Sequence, residues 1–217
     1  MLDQILKCVE FGKINKVSPF PPNMKGQDGA DELTKLAIES GIGPDDILEK
    51  ALVPAMEIVG DKFSENKIFV PQMLMSAKAM GMAMEHLKPF FQSGEVKRKG
   101  TFIVGTVHGD LHDIGKNLAA MMIEGGGWEI VDLGVDVSAE KYIEALKEYP
   151  DSIVGISAML TTTMVNMGAI TKKIKEEFPD VLVIIGGAPV TEDFKTQINA
   201  DFYAPEPQSA VKYLSQL

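Results

Sequence analysis

The sequence predicts an α + α/β protein, in which a helical N-terminal segment precedes a domain with a five-stranded parallel β-sheet. Up to about residue 92, apolar residues recur at the three- and four-residue spacing of amphipathic helices. From residue 101 onward, short β-rich apolar runs alternate with helical stretches, which is typical of a parallel sheet with helices on both faces. A polar, glycine-containing stretch separates the two patterns. We therefore expect a helical cap domain at 1–92, a linker at 93–99 and an α/β domain at 100–217.

Four helices are predicted in the first segment. They span about 2–9, 31–39, 44–60 and 71–87. The third begins at Gly43-Pro44 and ends at Gly60 or one turn later. The fourth begins near Pro71, because a proline in the first turn loses no needed hydrogen bond, and we expect it to end before Pro89. The stretch Ser18-Pro-Phe-Pro-Pro-Asn23 is predicted to be a loop.

Five strands and five helices are predicted to alternate in the second segment. The strands lie at about 101–107, 128–133, 153–157, 181–185 and 202–204. The helices lie at about 114–123, 139–149, 162–178, 191–198 and 208–217. Five strands fit the flavodoxin-like (Rossmann-like) order, in which ligands bind beyond the carboxyl ends of the strands.

Bulk composition narrows the class of protein. Hydrophobic residues make up 45% and charged residues 24% of the 217 residues. No apolar run is long enough to cross a bilayer, and the N-terminus lacks the apolar core of a signal peptide, so we expect a cytoplasmic protein. The single cysteine, Cys8, excludes an intrachain disulfide and a zinc site built from cysteines. The net charge of −10 disfavours nucleic acid as a partner, although it also serves solubility.

The most informative stretch is Val107-His-Gly-Asp-Leu-His-Asp-Ile-Gly-Lys-Asn117, which joins the first predicted strand to its helix. A polar loop with a histidine at this end of a sheet is well placed for function. His112 is a candidate metal ligand, and Asp110 is placed to bind its second ring nitrogen and fix the tautomer. Gly109 and Gly115 allow the backbone to approach a bulky ligand closely. From these residues alone, a lone Asp-x-His is a weak signal, and a structural or helix-capping role is favoured.

Four motifs resemble those of cobalamin-binding proteins and occur in the same order. Asp110-Leu-His112-Asp-Ile-Gly115 resembles the Asp-x-His-x-x-Gly signature. Ser157-Ala-Met-Leu160 resembles the Ser-x-Leu segment, shifted by one residue, and Gly186-Gly187 resembles the glycine pair after the fourth strand. The stretch from Gly60 to Met73 resembles the helical cap of cobalamin-dependent methionine synthase and of methylamine, methanol and aryl-ether corrinoid proteins. The resemblance runs from about residue 31 to the end of the chain.

The resemblance implies a cobalamin (corrinoid) cofactor bound base-off/His-on, with His112 replacing the cofactor's own base as the lower ligand of cobalt. Asp110 would bind His112, and Thr163 would complete that relay. The other implied cofactor-binding residues of the α/β domain are Gly109, Leu111, Asp113, Ile114, Gly115, Ser157, Met159, Thr161, Gly186 and Gly187. In the cap, Phe69 and Met73 are implied to shield the upper face of cobalt, although methionines on this helix also fit ordinary core packing.

The resemblance further implies a methyl-carrier subunit rather than a complete enzyme. Such a protein shuttles a methyl group through the Co(I) and methyl-Co(III) states. The implied partners are a substrate-specific methyltransferase, a second methyltransferase that acts on a pterin or thiol acceptor, and a reductive activase. Three alternatives are the cobalamin-binding subunit of a mutase, a cobalamin-dependent sensor and a receiver-like domain with no cofactor, the last of which would leave the four motifs unexplained together. The cap stretch Phe69-Val-Pro-Gln-Met73 disfavours the mutase, and the lack of an appended DNA-binding segment disfavours the sensor.

Overall fold

A computed structural model describes residues 1–94 and 96–217. Glu95, which falls within the predicted linker at 93–99, lies outside the described residues. The chain forms two compact units. One consists of Met1–Arg98 with Gly125–Gly127, and the other of Lys99–Glu124 with Trp128–Leu217. Within the described ranges, no helix is both long and apolar enough to span a bilayer.

The first unit is helical, as predicted. Its helices are α1 (Leu2–Glu10), α2 (Ala30–Glu39), α3 (Pro44–Ile47), α4 (Val53–Ser64) and α5 (Val70–Ser93). A π-helical turn at Leu48–Leu52 connects α3 directly to α4, so the third predicted helix continues past Gly60 to Ser64. Fully buried apolar side chains from these helices, including Ile5, Leu52, Val59 and Leu87, form its core.

The predicted end of the fourth helix, before Pro89, is wrong. Helix α5 passes through Pro89 and ends at Ser93, and it is followed by Gly94 with φ +80°. Proline removes the N–H that would donate to the carbonyl of Glu85. Both residues are exposed, so solvent can replace the missing hydrogen bond and the helix can continue.

The segment between α1 and α2 contains only a short 3₁₀ turn, Pro22–Met24, in line with the predicted loop. Lys13 is fully buried at the base of this loop, and its Nζ donates to the carbonyl of Ser18 at 2.9 Å. The backbone N–H of Ala30 donates to the carbonyl of Lys13 at 3.0 Å, which ties the two ends of the loop together.

The second unit contains a five-stranded, all-parallel sheet. Its strands are β1 (Thr101–Thr106), β2 (Glu129–Asp132), β3 (Ile153–Ser157), β4 (Val183–Gly186) and β5 (Phe202–Ala204). Their order is β2-β1-β3-β4-β5, which confirms the predicted flavodoxin-like arrangement. Strand β1 pairs with β2 on one side and with β3 on the other. The chain therefore leaves β1 and β3 in opposite directions across the sheet, which opens a crevice at their carboxyl ends.

Helices cover both faces of this sheet. They are α6 (Ile114–Gly125), α7 (Ala139–Glu148), α8 (Thr161–Met164), α9 (Asn166–Glu177), α10 (Glu192–Gln197) and α11 (Pro207–Leu214). The helix predicted at 162–178 is thus divided at Val165 into α8 and α9. One core contains Leu146 of α7 and Ile170 of α9, and the other contains Ile123 of α6 and Leu214 of α11.

Candidate functional site

The loop between β1 and α6 brings its acidic residue inward and its histidine outward. Gly109 has φ +84°, a left-handed conformation that glycine adopts without strain. After this turn Asp110 is only 1% exposed, whereas the side chain of His112 is 56% exposed. The two residues predicted to act together thus differ in environment, because one is enclosed by protein and the other faces solvent.

Asp110 orients His112 through one carboxylate oxygen. Nδ1 of His112 lies 2.7 Å from Oδ1 of Asp110, and the same oxygen accepts the backbone N–H of His112 at 3.1 Å. Because a carboxylate can only accept, Nδ1 carries a proton, and in the neutral imidazole Nε2 then has the lone pair. Within the described residues, Nε2 has no hydrogen-bond partner. The ring therefore presents a basic nitrogen to solvent with its tautomer fixed, as ligating histidines do.

The second oxygen of Asp110 is fully occupied by donors from the loop after β3. Oδ2 accepts the hydroxyl of Thr163 at 2.7 Å, the N–H of Met159 at 2.8 Å and the N–H of Leu160 at 3.3 Å. Burial alone would raise the pKa of Asp110, but the hydrogen bonds from Met159, Thr163 and His112 together outweigh burial and hold the pKa well below its usual range. Asp110 therefore stays charged and keeps the proton on Nδ1.

His112 is not part of a protein-only metal site. Among the residues that the structure describes, no group of three or more His, Cys, Asp and Glu side chains is arranged to hold a metal ion. A single imidazole binds a metal ion weakly, so a metal at His112 must receive its other ligands from elsewhere. This donor set suits a metal that arrives already held in a cofactor.

Large apolar side chains are exposed on the loops that carry this pair. Leu111 is 71% and Ile114 is 72% exposed, and Met159, Leu160 and Val165 are also exposed. Exposed large apolar side chains that group on neighbouring loops are typical of ligand-binding or interaction surfaces. Three of the predicted cofactor-binding residues, Leu111, Ile114 and Met159, lie in this set.

A cavity of about 320 Å³ lies between the sheet and the helices α6 and α11. Four predicted residues line it, namely Gly115, Ser157, Gly186 and Gly187. A Cβ added at Gly115 would meet nothing within 4 Å, so this position opens onto free space. At Gly187, which has φ +123°, an added Cβ would lie 1.9 Å from the carbonyl oxygen of Ala158, so no side chain fits there.

The rest of the cavity wall is mainly apolar. It includes Phe102, Val104, Ile123 and Ala204. Lys116 also lines the cavity, but its Nζ donates to Asn117 at 2.6 Å and to Asp132 at 2.5 Å, so its charge is already paired. The cavity is therefore suited to a largely apolar group.

The remaining predicted cofactor-binding residues do not line the cavity; two lie in the second unit and two in the first. Asp113 and Thr161 are exposed and are not part of the described cavity wall. Oδ2 of Asp113 accepts the side-chain amide of Asn117 at 3.0 Å, which is a local contact at the start of α6. In the first unit, Phe69 is 62% exposed at the N-terminus of α5, whereas Met73 is fully buried and has no free surface to offer a ligand.

Two residues that contact the loop were not predicted. Oδ1 of Asp136 accepts the N–H of Gly109 at 2.7 Å and lies 2.6 Å from Nδ1 of His108. The hydrogen bond from Gly109 is the main reason why the pKa of Asp136 is lowered. Oγ1 of Thr106 donates to the carbonyl of His112 at 2.9 Å. Neither residue belongs to a recognisable motif, so the sequence carried no signal for them.

Comparison with known proteins finds two matches to families described as a B12 binding domain, at residues 100–212 and 27–88. Trimethylamine corrinoid protein 1 of Methanosarcina acetivorans is 38% identical over 186 residues, which are 84% of this chain and 86% of that protein. The methanol:cobalamin methyltransferase complex MtaBC of Methanosarcina barkeri has a similar chain, with a TM-score of 0.81, 30% identity, and coverage of 99% of this chain and 78% of that one. A cobalamin-binding protein from Desulfitobacterium hafniense has a TM-score of 0.76, 26% identity, and coverage of 100% and 98%.

Proposed function

This chain belongs to the family of corrinoid proteins with B12 binding domains, and on that premise we propose that it holds cobalamin on His112 and carries a methyl group between methyltransferases. The observation that carries the proposal is the pair formed by His112 and Asp110. A buried carboxylate holds Nδ1 at 2.7 Å and leaves Nε2 free on an exposed, apolar surface. No other histidine in the described residues combines a fully buried acidic partner with these surroundings.

The residues present fit a corrinoid. One imidazole is the whole protein donor set at this point, which suits a cobalt ion whose four equatorial ligands belong to the corrin ring. The exposed side chains of Leu111, Ile114 and Met159 offer apolar surface to the underside of a large planar ring. Gly115 leaves the mouth of the 320 Å³ cavity free of side chains, which favours entry of a ligand tail.

When bound, the corrinoid supplies a cobalt centre that can take up and release a methyl group. We propose that Nε2 of His112 is its lower axial ligand, in the base-off/His-on arrangement. Asp110 accepts the hydrogen bond that Nδ1–H of His112 donates, and Thr163 holds Asp110 through the 2.7 Å hydrogen bond to Oδ2. The hydrogen bond at Nδ1 affects how strongly Nε2 donates its electron pair to cobalt. Asp110 and Thr163 would therefore adjust the reactivity of the metal through His112.

The cavity between the sheet, α6 and α11 is the proposed site for the nucleotide tail that carries the displaced base. Its largely apolar wall suits an aromatic base, and Ser157 adds a hydroxyl at the carboxyl end of β3. Gly187, in the loop after β4, packs directly against the backbone of Ala158, so this position has no room for a side chain. Together these residues favour a tail that enters the cavity between the sheet and the helices rather than one that lies on the surface.

We propose Phe69 as a shield for the face of the cofactor opposite His112, because it is a large aromatic side chain that is 62% exposed. Such a shield would exclude water and oxygen between transfers and would have to move aside for each partner. Met73 is not part of this proposal, since it is fully buried.

The proposed partners follow from the methyl-carrier role. One is a methyltransferase specific for the methyl donor, which is supported by the relative that was solved as part of a methyltransferase complex. Methylamines and methanol are the donor classes that the relatives' names favour. A second methyltransferase with a pterin or thiol acceptor and a reductive activase would complete the cycle.

Reconstitution tests this function directly. The protein is incubated anaerobically with cobalamin and desalted, and we expect one cobalamin to remain bound per chain, measured by visible absorption. The loaded protein should then accept a methyl group when a methylamine- or methanol-specific methyltransferase and its substrate are added. A protein that stays colourless after desalting would overturn the proposal.

A further inference from the structure

His112 is held at a third point, its backbone carbonyl. Asp110 binds the ring through Nδ1 and the backbone through its N–H. The carbonyl oxygen of His112 accepts the hydroxyl of Thr106 at 2.9 Å, and within the described residues it accepts no other hydrogen bond. Ring, amide and carbonyl of the same residue are therefore each anchored by a separate contact.

Thr106 is a rigid anchor because its own backbone is fixed on both sides. It is the last residue of the central strand β1 and is fully buried. Its N–H donates to the carbonyl of Gly134 at 2.9 Å, and its carbonyl accepts the N–H of Val137 at 2.9 Å. On the other side it lies opposite Ser157 of β3 in the parallel ladder. Its hydroxyl is thus a fixed point at the carboxyl end of the sheet.

The two anchors of His112 act in different ways. Asp110 holds the ring at Nδ1 and is itself held by the loop after β3, through the hydroxyl of Thr163 and the N–H of Met159. Thr106 belongs to the strand, so its hydroxyl fixes the loop relative to the sheet. The two anchors therefore attach His112 to two neighbouring strands, its ring through Asp110 to the loop after β3 and its backbone carbonyl through Thr106 to the end of β1.

We propose that Thr106 is a positioning residue for the metal ligand, and that its hydroxyl sets where Nε2 of His112 stands above the sheet. The inference rests on the proposed function, because it concerns the ligand of the corrinoid. Without the hydroxyl, the carbonyl of His112 is left without its donor and the loop can relax away from β1. Nε2 then reaches the cobalt in a smaller fraction of molecules, although Asp110 and the ring are unchanged.

Three substitutions separate the hydroxyl from packing. Thr106→Val keeps the shape and removes the hydroxyl, whereas Thr106→Ser keeps the hydroxyl and removes the methyl group. Thr171→Val is the matched control, because Thr171 of α9 is also fully buried and its Oγ1 has no hydrogen-bond partner in the described residues. Circular dichroism and thermal unfolding establish that each variant is folded. If Thr106→Val does not fold, Thr106→Ala removes the same hydroxyl together with the methyl group, and Thr106→Ser accounts for the loss of the methyl group.

Each protein is titrated with cobalamin, and two quantities are measured. One is the dissociation constant, and the other is the fraction with histidine as the axial ligand, read from the change in nitrogen splitting in the electron paramagnetic resonance spectrum of the Co(II) form when the protein carries ¹⁵N-labelled histidine. We expect Thr106→Val to bind about tenfold to a hundredfold more weakly, as for other residues that orient a metal ligand, and to show a smaller histidine-ligated fraction. Thr106→Ser and Thr171→Val should both stay close to wild type.

The cofactor-free protein gives an independent reading. The carbonyl ¹³C resonance of His112 should shift in Thr106→Val and stay unchanged in Thr171→Val. If Thr106→Val matched wild type in affinity and histidine ligation, or if Thr106→Ser lost as much as Thr106→Val, the positioning role would be wrong while the proposed function stood. A wild-type protein that binds no cobalamin would overturn the proposed function, and this inference with it.

Discussion

The hydroxyl of Thr163 lies 2.7 Å from Oδ2 of Asp110, a residue 53 positions earlier in the chain. This contact joins the loop after β1 to the start of the helical region after β3. Since β1 and β3 are neighbours in the sheet, the relay from Thr163 through Asp110 to His112 closes across the crevice where ligands of this fold bind.

Replacing His112 by alanine should remove the axial nitrogen. We expect the visible spectrum of bound cobalamin to change from the His-on form to one with water below cobalt, and the affinity to fall by at least about tenfold. The matched control is His108→Ala, because His108 pairs with Asp136 at 2.6 Å and takes no part in the relay. A His112→Ala protein with the wild-type spectrum at neutral pH would show that another group is the ligand.

Replacing Asp110 by asparagine should weaken the ligand without abolishing it. Asparagine keeps the shape of the side chain but loses the charge that holds the Nδ1 proton, so Nε2 becomes a poorer donor. We expect a loss of about tenfold to a hundredfold in cobalamin affinity or methyl transfer. Equilibrium titration and a single-turnover methylation assay measure the two effects. An unchanged affinity together with an unchanged rate would contradict the relay.

At Thr163, the pair of substitutions to valine and serine isolates the contribution of the hydroxyl, which lies 2.7 Å from Oδ2 of Asp110 and 3.0 Å from the carbonyl oxygen of Leu160. Valine removes the donor to Oδ2 of Asp110, whereas serine retains it. Asp110 keeps the N–H donors of Met159 and Leu160, so the effect of Thr163→Val should be smaller than that of Asp110→Asn. We expect a severalfold loss of affinity for Thr163→Val and near wild-type binding for Thr163→Ser. Equal losses in both would point to packing instead.

Much of the fold follows from pattern alone, and the misses have local causes. Strand–helix alternation predicted the strand order, and the predicted strand ends agree with the structure to within a few residues. The predicted end of α5 is wrong because a proline usually ends a helix, whereas at the exposed Pro89 solvent can replace the missing hydrogen bond and the helix continues. The break at Val165 was missed because the apolar spacing continues from α8 into α9.

The site was predictable only where residue types form a motif. The pairing of Asp110 with His112 was expected from their spacing, and the structure brings them to 2.7 Å. Thr106 was missed because it binds a backbone carbonyl. Every residue has such a carbonyl, so the sequence does not show which one a side chain binds. Asp136 was missed because it reaches Gly109 across 27 residues of chain. The burial of Met73 could not be read from helical spacing, since α5 has apolar residues on more than one face.

Cys8 should react with thiol reagents only after unfolding. It is 2% exposed, and burial raises its pKa to about 11. A raised pKa means that folding favours the protonated form, so this stabilisation is complete below the ordinary pKa of 9.0 and is lost as the pH rises toward 11. At pH 8 we expect labelling to be slow in buffer and fast in urea. Because the chain has one cysteine, every label reports on this site.

Filling the mouth of the cavity should block the cofactor without harming the apo protein. Gly115 lines the cavity in the first turn of α6, and a Cβ there would meet nothing within 4 Å. Gly115→Leu therefore adds bulk to open space, and replacing a helical glycine should by itself stabilise α6 by up to about 1 kcal/mol. We expect an apo melting temperature equal to or above that of wild type, together with cobalamin binding weakened by at least about tenfold, by analogy with other groups that shape a metal site.

The control for that substitution is Gly81→Leu in α5, where an added Cβ also meets nothing within 4 Å. Gly81 is exposed and lines no part of the cavity, so this variant should share any gain in helix stability and keep wild-type affinity. Thermal unfolding of the apo proteins and titration with cobalamin give both quantities. If Gly115→Leu bound cobalamin as tightly as Gly81→Leu, the tail would not pass this residue, and the 320 Å³ cavity would have to be given another role.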